Sequence, residues 1–243
     1  MKILIIRHGD PDYTVDSLTE KGRVEAALLA ERIAPLSVKD YYVSPLGRAR
    51  DTAEATLKKA GRTAETLPWL KEFNVDVTDP VTGEVRGLPW DFPPEEWTVV
   101  PEYYDKSLWY DVPYMRSGNM RERLAEVWDG LDMIFERHGY RREGNLYRAV
   151  RLNEDRIVFF CHFGVQCVML GHLLGISPMI LWHGLITAPT AVTTLCSEER
   201  REGAAFFRAS AIGDISHLYS RGEEPAFAGR FCEMFSNANQ RHD

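Results

Sequence analysis

The sequence has few cysteines, no long hydrophobic run and no surplus of positive charge. Its four cysteines form no C-x-x-C pair, so we predict reduced, mostly buried thiols and no disulfide framework. The apolar run at the amino terminus is too short for a signal peptide, and no run approaches the about 20 residues of a membrane span. We therefore expect a cytoplasmic protein that has no membrane partner.

The charge balance excludes another class of partner. The chain has 29 Lys and Arg against 36 Asp and Glu, a net charge of −7, which argues against nucleic-acid binding. The 243 residues are 44% hydrophobic and 27% charged, so disordered and fibrous classes are excluded. This length fits one large α/β domain, or a core domain with a sizeable insertion.

Short apolar runs alternate with amphipathic segments in the amino-terminal part. Residues 3–6, 41–44 and 65–67 are predicted strands, and the segments between them are predicted helices. This β-α-β-α-β order is typical of a parallel sheet covered by helices. The first helix is expected to place four apolar residues near one face: Val24, Ala27, Leu28 and Ile33.

Residues 73–118 interrupt this pattern with many prolines and aromatic residues. Such proline density prevents a long helix or a central strand, and so many large rings are too apolar for a solvated linker. We therefore predict an irregular, packed insertion that caps or flanks the rest of the domain. Its rings either form its own core, the favoured interpretation, or wall a substrate pocket; the candidates for such a wall are Trp90, Trp97, Trp109 and Tyr110.

Regular alternation returns after the insertion. A helix is predicted at about 119–138, a buried strand at 156–160, an apolar helix directly after it, and two further strands at 190–196 and 204–214. The complete pattern predicts a three-layer α/β/α sandwich with a mostly parallel central sheet and an inserted cap region. We expect residues 1–243 to form one domain, with the insertion at about 73–118.

Polar residues stand where the predicted strands end. Arg7 and His8 follow the first strand, Arg48 lies beyond the second, Glu72 follows the third and His162 follows the strand after the insertion. In open α/β sheets, ligands bind at the carboxyl ends of the strands. Arginines grip phosphoryl oxygens and an imidazole can attack phosphorus. Each residue alone is more often structural, but the combination indicates a phosphoryl site.

Four motifs in this order resemble the histidine phosphatase superfamily, in the branch that includes cofactor-dependent phosphoglycerate mutases. They are L-I-I-R-H-G, L-T-E-K-G-R-V-E-A, S-P-L-G-R-A-R-D-T-A-E and F-F-C-H-F-G. The motifs lie on both sides of the insertion, so the resemblance covers the predicted core. The insertion itself resembles no family that we can name.

The resemblance implies a histidine phosphatase that needs no metal and no cofactor. His8 would be the nucleophile and become transiently phosphorylated, and Glu72 in Leu-Lys-Glu would be the proton donor. The acid phosphatase branch places its donor at the position of Phe163 here, which cannot donate a proton. A protonated His162 is expected to bear on the phosphate. The implied phosphate-binding residues are Arg7, His8, Gly9, Arg48 and His162.

The loop after R-H-G departs from the family pattern. Pro11 and Thr14 stand where the family commonly has Thr or Ser and then Asn, so a phosphate contact usual in the family is either missing or replaced by Asp12, Tyr13 or the backbone. Asp10 and Asp12 also bring negative charge near an anion pocket. Either these two carboxylates point away, or the substrate carries a cationic or hydroxylated group.

The short loop favours a phosphomonoester hydrolase acting on a small phosphorylated metabolite, because water enters an open site more easily. The alternatives are a cofactor-dependent phosphoglycerate mutase and a catalytically silent phosphate-binding docking module. A metal-dependent hydrolase ranks last, because neighbouring arginines would oppose a dication. Its ligands would be His8, Asp10, Asp12 and His162. The sequence leaves a homodimer open.

Overall fold

The computed structural model describes residues 1–151, 153–230 and 232–240. The strands are β1 (Lys2–Arg7), β2 (Pro11–Asp12), β3 (Ser17–Leu18), β4 (Asp40–Val43), β5 (Glu65–Thr66), β6 (Val77–Thr78), β7 (Val85–Arg86), β8 (Tyr140–Glu143), β9 (Leu146–Ala149), β10 (Arg156–Cys161), β11 (Val192–Arg201) and β12 (Ala204–Asp214). The helices are α1 (Glu20–Ile33), α2 (Gly47–Ala60), α3 (Pro94–Trp97), α4 (Pro113–Arg116), α5 (Met120–Arg137), α6 (Phe163–Leu174), α7 (Pro178–Gly184) and α8 (Ser216–Tyr219). Short 3-10 helices lie at Pro68–Leu70, Pro101–Tyr104, Trp109–Asp111 and Ala238–Gln240.

Eight strands form one mixed sheet in the order β5-β4-β10-β1-β11-β12-β9-β8. The first four of these run parallel, and the other four continue the sheet in antiparallel pairs. Strands β1 and β10 are neighbours, with Arg7 paired to Cys161 at their carboxyl ends. The residues that follow these two strands therefore emerge at the same edge of the sheet.

Helices cover both faces of the sheet. Ile3 and Ile5 of β1 face a core that includes residues of α5 and α6, whereas Leu4 and Ile6 face a second core with α1 and α2. This alternation follows from the two-residue repeat of a strand, and the apolar side chains of β1 are buried on both faces. The predicted α/β class with its parallel centre is confirmed.

The buried face of α1 differs from the expected one. Val24 and Ala27 are exposed and Leu28 is half-buried. Glu25 lies on the inner face instead, where its carboxylate accepts backbone N–H groups, so the polarity of this residue concealed the true apolar side. The residues that pack inward beside it are Ala26, Leu29, Ala30 and Ile33.

The segment 73–118 contains only short elements, as its prolines predict: the β6–β7 hairpin, α3, α4 and two 3-10 helices. Its rings pack in the same core as α5 and α6. Trp109 is fully buried and meets Trp182 edge to face, with ring centroids 5.3 Å apart. The elements that were not predicted include the β2–β3 hairpin, the β8–β9 hairpin, α7 and α8.

The cysteines agree with the prediction of free thiols. Cys161 and Cys167 are buried, whereas Cys196 and Cys232 are half-buried, and all four are unpaired. None of the helices in the described ranges combines the length and the apolar character that crossing a bilayer requires.

Candidate active site

His8 is buried at the carboxyl end of β1. Its Nδ1 lies 2.8 Å from the carbonyl oxygen of Gly9. Because a carbonyl can only accept, Nδ1 carries the proton and Nε2 keeps a lone pair. Burial, then the charge of Arg7, lowers the pKa of His8 well below its usual value, and Arg48 acts in the same direction. His8 is therefore a neutral imidazole with one basic nitrogen, the form that a nucleophile requires.

His162 lies beside His8, with ring centroids 5.2 Å apart. Its Nε2 is 2.7 Å from the hydroxyl oxygen of Ser44, while Nδ1 is buried and has no partner among the described residues. Burial lowers the pKa of His162 well below its usual value, and His8 and the two arginines lower it further. The lowered pKa favours a neutral His162 in the protein alone, and the protonated His162 expected on a bound phosphate stays a prediction.

The two arginines are held in the same way. Arg7 Nη1 donates to the carbonyl oxygens of Thr187, at 2.5 Å, and Ala228, at 3.3 Å. Arg48 Nη1 donates to Asp16 Oδ1 at 2.6 Å. In both residues Nε is buried and has no partner in the described part of the chain. Each guanidinium is therefore anchored on one side and keeps a donor for an anion on the other.

Gly9 is required by close packing against α1. A Cβ at Gly9 would lie 2.8 Å from the carbonyl oxygen of Gly22, and the Gly9 N–H donates to the hydroxyl of Thr52 at 2.9 Å. The backbone amide of Gly9 is therefore already bonded. The role of Gly9 in phosphate binding stays a prediction.

Glu72 lies at the amino terminus of α6. Its Oε1 accepts the N–H groups of Phe73, at 2.7 Å, and Val165, at 3.1 Å. A Cβ at Gly164 would lie 2.7 Å from Oε1 and 2.8 Å from the indole nitrogen of Trp90. Val165 lies in the first turn of α6, three residues after His162, so this carboxylate is bound at the same end of the sheet as that histidine. Trp90 lies near the same helix terminus, where its indole N–H donates to the carbonyl oxygen of Phe73 at 3.3 Å.

The carboxylates of Asp10 and Asp12 turn toward their own loop. Asp10 Oδ2 accepts the Thr19 hydroxyl at 2.7 Å, and Asp12 Oδ1 accepts the N–H and hydroxyl of Thr14. Of the two alternatives for these residues, the one in which they point away is therefore correct. Tyr13 is mostly exposed, and the Arg48 guanidinium lies 5.4 Å from the centre of its ring.

Sequence reasoning missed several groups at the pocket, among them Asp16, Glu25 and the backbone of Ala228. The carboxylate of Glu25 is fully buried and accepts the N–H groups of Asp10 and Ala226, at 2.9 Å each. A charged residue four positions before Leu29 on an otherwise apolar helix face was a usable signal. The contact of Ala228 is made by its carbonyl, which no side-chain pattern reports.

The other rings proposed as a pocket wall make their ring contacts with residues outside the candidate site. Trp97 stacks on His183, and Tyr110 packs on Trp109. No group of three or more His, Cys, Asp or Glu suited to a metal ion occurs in the described ranges.

Comparisons with known proteins agree with this geometry. The chain is 25% identical to a probable phosphatase of Schizosaccharomyces pombe, over 90% of this chain and 96% of that one. The fold is similar to that of a phosphoserine phosphatase from Entamoeba histolytica, with a TM-score of 0.58 and 20% identity over 89% of this chain and 98% of that one. It is also similar to a mycobacterial glucosyl-3-phosphoglycerate phosphatase, with a TM-score of 0.60 and 19% identity over 89% of this chain and 99% of that one.

The family assignment rests on a match over most of the chain. The family model of the histidine phosphatase superfamily (branch 1) matches residues 3–208, which include both predicted histidines, both predicted arginines and Glu72. The enzyme class expected from the motifs is thereby confirmed at the level of the family. The chain belongs to branch 1 of the histidine phosphatase superfamily.

Proposed function

We propose that the protein is a metal-independent phosphomonoester hydrolase that acts on a small phosphorylated metabolite through a phosphohistidine at His8. The observation that carries the proposal is the state of His8, a buried neutral ring whose Nδ1 proton is bound by the Gly9 carbonyl. This arrangement leaves the lone pair of Nε2 free to attack phosphorus. The neighbouring donors without partners, on Arg7, Arg48 and His162, suit the oxygens of a phosphoryl group.

In the first step, Nε2 of His8 attacks phosphorus and the bond from phosphorus to the leaving oxygen breaks. Glu72 gives its proton to that oxygen, and the product alcohol departs. In the second step, the Glu72 carboxylate takes a proton from water, the water oxygen bonds to phosphorus, and the bond from phosphorus to Nε2 breaks. Inorganic phosphate leaves, and both His8 and Glu72 return to their starting forms.

The proposed substrate class is supported by the size of the molecules for which the similar enzymes are named. The solved structures with this fold are named for phosphoserine and glucosyl-3-phosphoglycerate, both small phosphorylated molecules. We propose a substrate of the same size class, with no nucleic-acid or membrane partner. We also propose that residues 73–118 are an insertion within one domain, because their rings share the core of α5 and α6.

The test is hydrolysis of an aryl phosphate between pH 5 and 8 in the presence of a chelator. The wild type is expected to turn over and the His8→Ala variant to lose activity, because its nucleophile is gone. Acid-labile phosphate bound to histidine should be trapped on the wild type by rapid quenching. Activity that survives in His8→Ala, or that the chelator abolishes in the wild type, would refute the proposed mechanism.

The same preparation distinguishes the alternative functions. A phosphoglycerate mutase would interconvert phosphoglycerates and hold a long-lived phosphoenzyme, whereas the proposed hydrolase would release inorganic phosphate. A docking module would bind phosphate and show neither reaction. If the wild type isomerises phosphoglycerates faster than it hydrolyses them, the protein is a mutase and the hydrolase proposal is wrong.

A further inference from the structure

Asp16 lies at the end of the hairpin formed by β2 and β3, in a strained backbone conformation. Its φ is +48°, in the left-handed region that residues other than glycine seldom adopt, although Asp and Asn tolerate it best. Such conformations persist where the surrounding structure holds them, and they concentrate at functional sites. Asp16 is one of two such residues outside glycine in the described ranges, and the other, Thr190, donates its N–H to the carbonyl of His8.

The Asp16 carboxylate makes two short contacts. Oδ1 accepts from Arg48 Nη1 at 2.6 Å, and Oδ2 accepts the N–H of Gly47, the first residue of α2, at 2.7 Å. The second contact satisfies a free N–H at the helix terminus, where a negative charge is favourable. The Asp16 carboxylate is thereby fixed to the same helix turn that carries Arg48.

The backbone of the hairpin also sits directly on α2. A Cβ at Gly47 would lie 2.0 Å from the carbonyl oxygen of Asp16, so only glycine permits this approach. The ring of Tyr13, from the same hairpin, lies 5.4 Å from the Arg48 guanidinium. The hairpin therefore contacts Arg48 through both a charge and a ring.

We propose that Asp16 is a positioning residue, which holds Nη1 of Arg48 so that the buried Nε side of the guanidinium faces the phosphate. This inference rests on the proposed role of Arg48 in phosphate binding. Arg48 Nε is buried without a partner in the described ranges, as expected for a donor kept for a ligand. A planar guanidinium binds two oxygens only when its orientation is set, and a carboxylate on the opposite side sets it.

A simple count of charges predicts the opposite behaviour. A carboxylate next to an anion site repels the anion, so its removal would strengthen phosphate binding if charge alone mattered. If Asp16 positions Arg48, its neutralisation weakens binding although the pocket becomes more positive. The sign of the change therefore separates positioning from repulsion, and from a role of Asp16 as a competitor for Arg48.

The experiment compares Asp16→Asn with Asp12→Asn. Asparagine keeps the left-handed backbone and an oxygen for Gly47, but it loses the ion pair with Arg48. The matched control removes the same charge from the same hairpin, where the Asp12 carboxylate bonds to Thr14 and to no arginine. Binding of inorganic phosphate is measured by calorimetry, and kcat and KM are measured with an aryl phosphate.

We expect Asp16→Asn to weaken phosphate binding and raise KM about tenfold, the usual size of the loss of one charge-assisted contact. Its kcat is expected to change less, and Asp12→Asn should stay within about twofold of the wild type. Gly47→Ala, which displaces the hairpin without altering either charged side chain, should weaken binding in the same direction. This second variant keeps the test open if Asp16→Asn folds poorly.

Phosphate binding that is equal or tighter in Asp16→Asn would overturn the positioning role, as would an equal effect in Asp12→Asn. Failure of the proposed function gives a different result. In that case either the wild type would not hydrolyse the aryl phosphate or His8→Ala would keep its activity, whereas calorimetry of the Asp16 and Asp12 variants would still measure phosphate binding directly. A wild type that binds no phosphate would overturn both the role of Arg48 and that of Asp16.

Discussion

The proposed phosphate pocket and the proposed insertion at residues 73–118 are stabilised by opposite kinds of interaction. In the pocket, buried polar groups are each fixed by a specific partner, as the Gly9 carbonyl fixes His8 and Asp16 fixes Arg48. In the insertion, buried aromatic rings pack on one another, as Trp109 packs on Trp182, and many of its polar contacts lie at exposed residues. The pocket therefore depends on the identity of each residue, and the insertion on volume and apolar area.

The burial of the two regions differs as well. His8 and His162 are almost completely buried. The insertion instead encloses an open cavity of about 720 Å³ walled by residues such as Phe92, Tyr103 and Tyr114. Substitutions in the pocket should therefore change chemistry more than stability, and substitutions in the insertion should change stability more than chemistry.

The largest expected effect is on catalysis, from Glu72→Gln in the pocket. Glutamine keeps an oxygen for the N–H groups of Phe73 and Val165 but cannot give up a proton. Loss of general acid catalysis should lower kcat for an alkyl phosphate by about 10²–10⁴-fold. An aryl phosphate with a good leaving group should still phosphorylate His8, so phosphohistidine should accumulate. Steady-state rates and quenched-flow trapping measure the two effects.

A matched control for Glu72→Gln comes from the insertion. Glu84→Gln makes the same chemical change at an exposed carboxylate and should leave both rates unchanged. If Glu72→Gln lowered the rates for both substrates equally and trapped no phosphohistidine, the carboxylate would not be the proton donor.

The second effect is on stability, from Trp109→Ala in the insertion. Removal of this fully buried ring should lower the free energy of unfolding by about 3–5 kcal/mol, through lost burial and a new cavity. Urea unfolding measures this change. At low temperature, the folded fraction should keep kcat/KM within a few fold. The rings on which Trp109 packs, those of Tyr110 and Trp182, are not among the proposed catalytic side chains.

Trp109→Phe sharpens this test. The indole nitrogen of Trp109 is buried and has no partner in the described part of the chain. Phenylalanine removes that unsatisfied donor and keeps most of the apolar ring, so its cost should be well below that of alanine. A loss of kcat/KM in Trp109→Ala as large as that in Glu72→Gln would break the distinction between the two regions.

The same contrast explains which features the sequence could predict. Motif residues at strand ends were located correctly because parallel strands bring their carboxyl ends to one edge. Asp16 and Ala228 were missed, because their roles depend on one turn and one carbonyl that leave no periodic pattern. The predicted buried face of α1 was wrong because Glu25 lies on that inner side, where its carboxylate accepts two backbone N–H groups.

Within the insertion and beyond it, composition predicted irregular packing but not individual contacts. Ring–ring packing is not specific to particular partners, so the sequence could not indicate that Trp90 lies at the amino terminus of α6 while Trp97 stacks on His183. The β8–β9 hairpin had a usable signal, Gly144-Asn145 between two short runs, with φ of +61° at Gly144. The start of α7 had one as well, Ser177 followed by a proline.

The smallest expected effect, counted for each titrating side chain, is on the pH dependence of the free energy of unfolding. It should come mainly from the histidines of the pocket. Burial lowers the pKa values of His8 and His162, and it lowers that of His217 to about 4. Below the usual histidine pKa of about 6.5, the unfolded chain binds protons that the folded protein does not. These histidines should therefore contribute no pH dependence above about pH 7 and should lower stability as the pH decreases. Glu25, whose pKa is raised by burial, opposes this loss near its own titration.

The variant His8→Asn isolates one of these protons. Each histidine contributes up to about 1.4 kcal/mol per pH unit between its unfolded and folded pKa values, so this variant should show a shallower loss of stability by about that amount. Urea unfolding at pH 7.5, 6.5 and 5.5 measures the slope. Trp109→Ala should lower stability equally at every pH and keep the wild-type slope, because it removes no proton-binding group. An unchanged slope in His8→Asn would mean that His8 binds its proton equally well in the folded and unfolded protein. The argument that His8 is a neutral nucleophile would then be wrong.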